Sequence, residues 1–265
     1  MELSNSAGYL PSTYGDMFAD IYDAWYQEVT DVEGTVRLIS ELAADGRVLE
    51  LGVGTGRLAI PLAETGVDVS GIDSSSEMLK RLSERDSGQL VEAHLADMAE
   101  WQPEGPFKVV FCAYNTFFNL VETNHQRNCL SLSKNRLDED GLIVLEAFVP
   151  QTSLDSPNRG VESRSLSSTT VLSVTIHERK SGIVRGQSIE LGQNKTILRP
   201  WRVLIKTPQE IDLLARKCGL RLVTRWQDWD RTPFSEGSNH HISGLRSFEA
   251  LITTVLGSTR KWRFE

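Results

Sequence analysis

Three glycines at alternate positions, Gly52, Gly54 and Gly56, are the part of this sequence best suited to ligand chemistry. Glycine lets the backbone turn sharply, and it lets a ligand approach amide groups that a Cβ atom would shield. The apolar run 48–51 precedes these glycines and the helical pattern 58–63 follows them, so they join a predicted strand to a predicted helix. Ligands of open α/β sheets bind at the carboxyl ends of strands, so the pattern predicts a site for a nucleoside-like molecule.

Two carboxylates close to this turn narrow the class of ligand. Asp73 ends the next apolar strand 21 positions after Gly52, and a spacing of about 20 residues suits a carboxylate that binds ribose hydroxyls. Glu50 ends the first strand, where it would attract an ammonium group and repel a diphosphate. Dinucleotide-binding turns carry their third glycine at the position that Arg57 occupies here. The spacing therefore favours a ligand with an ammonium group over a dinucleotide.

Two further residues are candidates for contact with a base. Residues 74–77 form a predicted capping box, in which Ser74 and Glu77 begin a helix, and Met78 follows directly. Asp97 comes after a third short strand. Met78 could contact adenine or simply pack in the core, and Asp97 could accept a hydrogen bond from the adenine amine or be an ordinary loop carboxylate. Both alternatives stay open at this point.

The elements that must position these residues alternate between strands and helices, which is typical of βαβ units around a parallel sheet. Strands that are apolar on both faces are predicted at residues 48–51, 67–72, 108–113 and 142–148. Helical spacing covers residues 14–44 and predicts two helices separated by a break at 31–34. Between residues 151 and 206 the apolar period changes to two, which predicts a small antiparallel sheet.

The C-terminal part supplies one more helix and the end of the sheet. Thr207, Pro208 and Glu210 have the order of a capping box with proline at the first helical position. A strand at 220–226 follows the helix. The last strand lies either at 241–245 or at 250–256, and the pattern does not choose between them.

Composition excludes several classes of function. The 265 residues carry a formal net charge of −8 and an isoelectric point near 5.3, which argues against a nucleic-acid partner. No apolar run reaches the ~18 residues that a membrane helix needs. The three cysteines lack C-x-x-C spacing, so we expect reduced thiols, a cytoplasmic protein and no metal knuckle.

Candidates for acid–base chemistry and for an acceptor pocket lie mainly near the C-terminus. His240 and His241 point to opposite faces if they lie in a strand, so at most one could reach a substrate, and His125 is a third candidate. Each could equally be a surface or core histidine. The candidates for an acceptor pocket are Trp226, Asp228 and Trp229, which could instead anchor a loop. Asp228, Asp230 and His240 lack metal-ligand spacing, so no metal is predicted.

Five segments of the chain match the order of a known family: residues 48–56, 69–79, 95–98, 109–120 and 137–146. On these residues the chain resembles class I S-adenosylmethionine-dependent methyltransferases. The segment 228–234, together with the antiparallel insertion, is similar to a bacterial subgroup that includes small-molecule and amino-sugar N-methyltransferases. Where amine-specific branches carry an Asp/Asn-Pro-Pro-Tyr motif, this chain has residues 113–116, Ala-Tyr-Asn-Thr, which disfavours adenine or glutamine amides as acceptors.

The resemblance implies a doubly wound, Rossmann-like α/β sheet of seven strands, mostly parallel with an antiparallel last strand. It also implies four regions: a helical lid (1–46), a cofactor-binding core (47–150), an antiparallel β insertion on the acceptor side (151–206) and a C-terminal completion of the sheet (207–265). The activity implied is methyl transfer from S-adenosylmethionine to nitrogen or oxygen of a small molecule, without nucleic acid or membrane, in a possible homodimer. A nicotinamide-dependent oxidoreductase and a non-catalytic S-adenosylmethionine-binding protein are the alternatives.

Residue roles follow from the same resemblance. Ala113, Tyr114 and Asn115 would face the methyl group and the acceptor, and a tyrosine of the lid would touch the cofactor carboxylate, with Tyr14 also a catalytic candidate. The lid tyrosines that could fill this role are Tyr14, Tyr22 and Tyr26, of which Tyr22 is predicted to bind the cofactor. The other cofactor-binding residues implied are Glu50, Gly52, Gly54, Gly56, Asp73, Met78, Asp97, Met98 and Ala113.

Overall fold

A seven-stranded sheet forms the centre of the computed structural model, which describes residues 8–26, 30–150, 159–166, 169–192 and 195–248. Its strand order is β10-β11-β5-β4-β1-β2-β3. The strands are β1 (Val48–Leu51), β2 (Val69–Asp73), β3 (Val91–Leu95), β4 (Phe107–Cys112), β5 (Leu137–Phe148), β10 (Leu220–Trp226) and β11 (His240–Ser247). Neighbours from β5 to β3 pair in parallel, whereas β11 is antiparallel to both β5 and β10. The predicted fold class is confirmed.

A second sheet contains four antiparallel strands in chain order. They are β6 (Arg159–Leu166), β7 (Thr169–Glu178), β8 (Ile183–Leu191) and β9 (Thr196–Leu204). The change of apolar period to two had predicted this sheet. The last core strand is β11, so the strand predicted at 241–245 is present, and the alternative at 250–256 lies outside the described residues.

Helices cover both faces of the larger sheet. They are α1 (Thr13–Phe18), α2 (Tyr22–Tyr26), α3 (Val32–Ala43), α4 (Ala59–Glu64), α5 (Ser76–Arg85), α6 (Thr123–Arg136) and α7 (Pro208–Lys217), with a 3-10 helix at Thr116–Asn119. One buried cluster joins the sheet to α6 and α7, and a second joins it to α3 and α4. A sheet buried on both faces explains why its central strands are continuously apolar. None of the described helices has the length and apolar character that crossing a bilayer requires.

Two features of the N-terminal helices differ from the predictions. The N-terminal region has three helices, because the Ile21 amide bonds to the Phe18 carbonyl and interrupts the first helix. The predicted break at 31–34 lies inside the start of α3, where the Asp31 carboxylate caps the helix by accepting from the Gly34 amide.

The capping box assigned to Ser74 and Glu77 is wrong. Ser75 caps α5 instead, with its hydroxyl accepting from the Met78 amide. The third helical residue is then Met78, whose side chain cannot return a bond to the cap. The capping box at Thr207 and Glu210 is confirmed, with both reciprocal bonds present.

Candidate active site

The glycine turn leaves the end of β1 and runs beneath two adjoining cavities. Gly52, Gly54 and Gly56 have φ values of 74°, 56° and 75°, which side chains rarely adopt. A Cβ on Gly52 would lie 2.3 Å from the Thr116 side chain. Gly56 differs, since a Cβ there would meet Ile60 and Leu82, and Gly56 lines neither cavity. Gly56 therefore serves helix packing, and its predicted contact with the cofactor has no support from the cavity walls.

The larger cavity encloses about 640 Å³, counting its open mouth. Predicted cofactor residues make up half of its wall, and the remainder comes from the N-terminal segment, the ends of β2 and β3, and the 3-10 helix with the residue that follows it. The predicted residues that line it are Tyr14, Tyr22, Gly52, Gly54, Asp73, Met78, Asp97 and Met98. Met78 also packs in a cluster with Phe18 and Trp25, so it has the core role that the sequence left open, and its position in the wall leaves contact with adenine as a prediction.

Asp73 is held rigidly at the end of β2. Its Oδ2 accepts from the Gly54 amide at 2.9 Å, and its Oδ1 accepts from the Ser75 amide at 2.8 Å. Burial raises the pKa of Asp73 to about 6, against the opposite effect of these two amides. A carboxylate oxygen has two lone pairs, so each oxygen retains capacity for one hydroxyl of a ligand. Asp97 is similarly fixed, because its Oδ1 accepts from the Ala99 amide at 2.8 Å.

The smaller cavity measures about 280 Å³ with its open mouth included, and it shares Tyr22, Gly52, Gly54 and Thr116 with the larger one. Glu50 is 4% exposed there, and its Oε2 has no hydrogen-bond partner among the described residues. Burial raises the pKa of Glu50 well above its usual range, while Arg57 acts in the opposite direction. The Nε and Nη1 groups of Arg57 are buried and also lack partners in the described part of the chain. Unpaired buried groups of both charges predict a ligand that carries both charges.

Arg57 lies over the ring of Tyr114, with 4.3 Å from its Cζ to the ring centroid. Tyr114 and Asn115 follow β4 with φ values of 52° and 62°. The Tyr114 amide donates to Oε2 of Glu146 on β5 at 2.6 Å, and burial raises the pKa of Glu146 to about 7. Tyr114 and Ala113 line the smaller cavity as predicted, whereas Asn115 does not, because its Oδ1 accepts from the Phe148 amide.

The N-terminal helices cover both cavities and are tied to the core. Asp16 of α1 accepts a hydrogen bond from the Ser75 hydroxyl at 2.6 Å. Asp23 of α2 accepts from the Thr55 hydroxyl at 2.7 Å and pairs with Arg85 at 3.0 Å. These contacts place a helical cover over the glycine turn.

The same cover is also tied to the smaller sheet. Arg199 of β9 is buried and pairs with Asp20 at 2.8 Å and with Glu190 at 3.1 Å, and it donates to the Met17 carbonyl. Within the cover, the Tyr14 and Tyr26 hydroxyls lie 2.9 Å apart. Burial raises the pKa of Tyr14 well above its usual range, so Tyr14 is a neutral phenol at physiological pH.

The predicted histidines are not brought to either cavity. His241 is 0% exposed, its Nδ1 lies 2.8 Å from the Ser243 hydroxyl, and burial lowers its pKa to about 3. His240 is exposed on the other side of β11, as the alternation of a strand requires. His125 lies on α6, 3.9 Å from Glu122. The structure thus supports the surface and core alternatives for these three residues, since a buried neutral imidazole or a distant one cannot reach a cavity ligand.

The aromatic strand end likewise packs away from the cavities. Trp229 is buried in the cluster beneath α3, and Trp226 packs against the same cluster. Asp228 lies in a turn, where its Oδ1 accepts from the amides of Asp230 and Thr232. None of the three lines either of the two cavities. The contacts correct the acceptor-pocket interpretation and favour the loop-anchoring alternative.

Comparison with known proteins places this geometry in a class. A model of the methyltransferase domain family matches residues 48–141. The cypemycin N-terminal methyltransferase of a Streptomyces species is 30% identical over 220 residues, which cover 80% of this chain and 88% of the relative. The chain therefore belongs to the class I S-adenosylmethionine-dependent methyltransferases, and S-adenosylmethionine is its cofactor.

Solved structures agree with this assignment. The CcbJ methyltransferase from Streptomyces caelestis superposes with a TM-score of 0.82 at 32% identity, covering 90% of this chain and 99% of that one. The amino pentose methyltransferase CalS10 from Micromonospora echinaspora shares the fold, with a TM-score of 0.66 at 19% identity over 86% of this chain and 97% of its own. The nicotinamide-dependent and the non-catalytic alternatives lose their support, because the family is one of methyltransferases.

Two functional candidates in the structure were not predicted from the sequence. The sequence marked Arg57 only as the residue at the position of a third glycine. It marked Glu146 only as part of the matching segment 137–146. The signal for Glu146 was present, since it is the one carboxylate in the apolar run 142–148. A lone carboxylate in a strand buried on both faces must have a partner or a function.

Proposed function

We propose that this enzyme transfers the methyl group of S-adenosylmethionine to a nitrogen atom of a small-molecule amine. The main support for the place of S-adenosylmethionine is the pair of adjoining cavities. One contains the paired carboxylate Asp73, and the other contains unpaired groups of Glu50 and Arg57. A nucleoside fits the first, and an amino acid with both of its charges fits the second.

The residues that would hold the cofactor can be assigned by charge and position. Asp73 would accept the ribose hydroxyls, and Asp97 with Met98 would border the adenine. Glu50 would bind the ammonium group of the methionine end, and Arg57 would bind its carboxylate with the N–H groups that lack partners. Of the lid tyrosines that the resemblance implied, Tyr22 lines both cavities and stays a candidate beside Arg57, whereas the Tyr14 hydroxyl is already bonded to Tyr26.

The chemistry of the transfer needs alignment more than acid–base groups. The cofactor supplies a methyl group on a positively charged sulfur. The nitrogen lone pair forms the new N–C bond while the C–S bond breaks, its electron pair stays on sulfur, and the methylated ammonium then loses a proton to water. Orientation of the reactants is worth about 7–11 kcal/mol in favourable cases. Ala113 and Tyr114 form the cavity wall closest to the end of β4 and would direct the acceptor.

Two observations support nitrogen rather than oxygen as the atom that is methylated. The cypemycin methyltransferase, of which this chain covers 88%, is named as an N-terminal methyltransferase, and a free N-terminus is an amine. A hydroxyl acceptor usually needs a general base, and the predicted histidines do not reach the cavities. An amine that binds in its neutral form needs no such base.

The proposal is tested in two stages. Isothermal titration with S-adenosylhomocysteine should show binding, and the absence of binding at millimolar ligand would contradict the cofactor assignment. Release of S-adenosylhomocysteine is then measured with a panel of primary and secondary amines and with alcohols and phenols of matched shape. Turnover confined to the amines supports the proposal, and turnover confined to the hydroxyl compounds refutes nitrogen as the acceptor.

A further inference from the structure

Two consecutive residues after β4 have a backbone conformation that ordinary side chains avoid. Asn115 adopts positive φ at little cost, because its short polar side chain tolerates the left-handed region. Tyr114, with φ of 52°, lacks that advantage. A residue held in such a region is strained and persists only where its surroundings fix it. Strain of this kind clusters at ligand sites, so the contacts that hold Tyr114 deserve a functional explanation.

The contact that fixes Tyr114 comes from the neighbouring strand. Glu146 Oε2 accepts a 2.6 Å hydrogen bond from the Tyr114 amide. In a second bond between the same two segments, the Asn115 side chain accepts from the Phe148 amide. Both bonds join the turn after β4 to the end of β5. The bond to Glu146 acts on the strained residue itself.

The position of Tyr114 in turn sets the position of Arg57. The guanidinium stacks on the Tyr114 ring at 4.3 Å and lies 5.8 Å from the Tyr22 ring. Stacking on a ring leaves the edge of the guanidinium free for hydrogen bonds. Its Nε and Nη1 are the groups without partners, and the smaller cavity is where they would find one. A continuous series of contacts therefore joins Glu146 to the smaller cavity. The Glu146 carboxylate bonds to the Tyr114 backbone, the Tyr114 ring stacks on the Arg57 guanidinium, and Arg57 lines the cavity.

We infer that Glu146 is a positioning residue for the methionine end of the cofactor, because it holds Tyr114 beneath Arg57 and so aims the guanidinium into the smaller cavity. This inference rests on the proposed function, in which Arg57 binds the cofactor carboxylate. The charged and titratable groups around Glu146 are Arg57, Asp31, Tyr114 and Cys112. Arg57 is the one cation among them, so Glu146 also balances its charge before a ligand binds.

The test compares two ligands that differ in the methionine end. S-adenosylhomocysteine has the amino-acid end, whereas 5′-methylthioadenosine has the same thioether nucleoside without it. Both are titrated calorimetrically into wild type, Glu146→Leu and Glu146→Gln. We expect Glu146→Leu to weaken S-adenosylhomocysteine about tenfold, which is about 1.4 kcal/mol, and to leave 5′-methylthioadenosine within about twofold. Glu146→Gln keeps an oxygen that accepts from the Tyr114 amide, so it should lose at most about threefold.

The glutamine variant separates positioning from charge. If Glu146 acted only through its negative charge, both variants would change the affinity equally, and that result would overturn the inference. Equal losses for both ligands in Glu146→Leu would also overturn it, since they indicate general damage to the fold. Glu92→Gln on β3, where the Glu92 side chain is 60% exposed, is the control and should leave both affinities unchanged.

Two further outcomes are possible: the Glu146→Leu variant does not fold, or the wild-type protein binds neither ligand. If Glu146→Leu does not fold, Tyr114→Ala takes its place, because it removes the ring that supports Arg57, and it should show the same selective loss of S-adenosylhomocysteine; its failure to do so refutes the inference. If wild type binds neither ligand, the proposed function falls first and the inference falls with it. Binding by wild type, with no ligand-selective loss in any variant, defeats the inference alone.

Discussion

The two adjoining cavities are built in opposite ways. In the larger one, Asp73 is already paired with two backbone amides and Asp97 with one, so its carboxylates are fixed before a ligand arrives. In the smaller one, Glu50 and Arg57 keep unpaired buried atoms, and the supporting residue Tyr114 has a strained backbone. The nucleoside end of the cofactor would therefore bind a preorganised site whose carboxylates are already paired. The amino-acid end would bind a site with unpaired buried groups and a strained backbone, and it would supply the missing partners.

This difference indicates which cavity is more sensitive to its surroundings. Asp73 and Asp97 need little outside support, because their hydrogen bonds come from nearby backbone amides. A stacked guanidinium depends on a ring, a strained turn and a carboxylate from a different strand. Changes in the larger cavity should weaken every ligand with a nucleoside, whereas changes in the smaller one should discriminate between ligands by their amino-acid end.

The largest expected effect is at Asp73. Asp73→Asn removes the charge and half of the acceptor capacity, so it would weaken at once the two charge-assisted bonds that we propose between Asp73 and the ribose hydroxyls. We expect the affinities for S-adenosylhomocysteine and 5′-methylthioadenosine to fall together by about 100-fold, as about 2.7 kcal/mol requires. Titration calorimetry measures both. A loss restricted to one ligand would break the contrast between the cavities.

The pH dependence of stability tests the cost of burying Glu146. Its pKa is higher in the folded protein, about 7, than the ordinary value of 4.5, so its favourable contribution is present below pH 4.5 and is lost as the pH rises through about 7. Glu146→Gln removes this ionisation. We expect the variant to gain about 2 kcal/mol over wild type on going from pH 5 to pH 8. Urea unfolding at both pH values measures it, and a pH-independent difference would contradict it.

Arg57→Ala should have a smaller and more selective effect. Loss of the guanidinium removes the partner of the cofactor carboxylate, so S-adenosylhomocysteine should bind about tenfold more weakly. The affinity for 5′-methylthioadenosine should stay within about twofold, because that ligand has no carboxylate. Arg37→Ala, on the exposed face of α3, is the matched control for removal of an arginine. Equal weakening of both ligands would assign Arg57 to the nucleoside instead.

The smallest effect is expected at the cover. Asp23 is tied to Thr55 and Arg85, but its side chain is about half exposed, and such ion pairs are worth less than about 1 kcal/mol. Asp23→Ala should speed dissociation of S-adenosylhomocysteine about threefold and leave the stability of the fold nearly unchanged. Stopped-flow fluorescence measures the rate. An unchanged rate would show that this contact does not hold the cover closed.

The glycine turn and its first carboxylates could be predicted from the sequence because each is a local feature. Three glycines between a strand and a helix, with Asp73 at the right spacing, specify a backbone shape and a ligand class without long-range information. The change of apolar period at residue 151 predicted the second sheet in the same way. Local patterns of this kind carried most of the fold.

The histidines and the support of Arg57 could not be predicted in the same way. Whether His241 faces a cavity or the core depends on which strands flank β11, and the sequence left the position of that strand open. The contact between Tyr114 and Glu146 joins residues 32 positions apart, one in the turn after β4 and one on β5, and its meaning comes from a backbone angle that no residue type indicates. Helix α6 was also missed, because its apolar residues do not form a clear stripe.

Arg199 has a consequence for any attempt to exchange parts between relatives. It joins the β-rich segment to α1 by a buried guanidinium with one carboxylate partner on each side, Asp20 and Glu190. A chimera that takes the first helices from another methyltransferase and keeps strands β6–β9 would leave the buried Arg199 guanidinium with one of its two carboxylate partners, which destabilises the fold. The two segments, almost 180 residues apart in the chain, must therefore be grafted together.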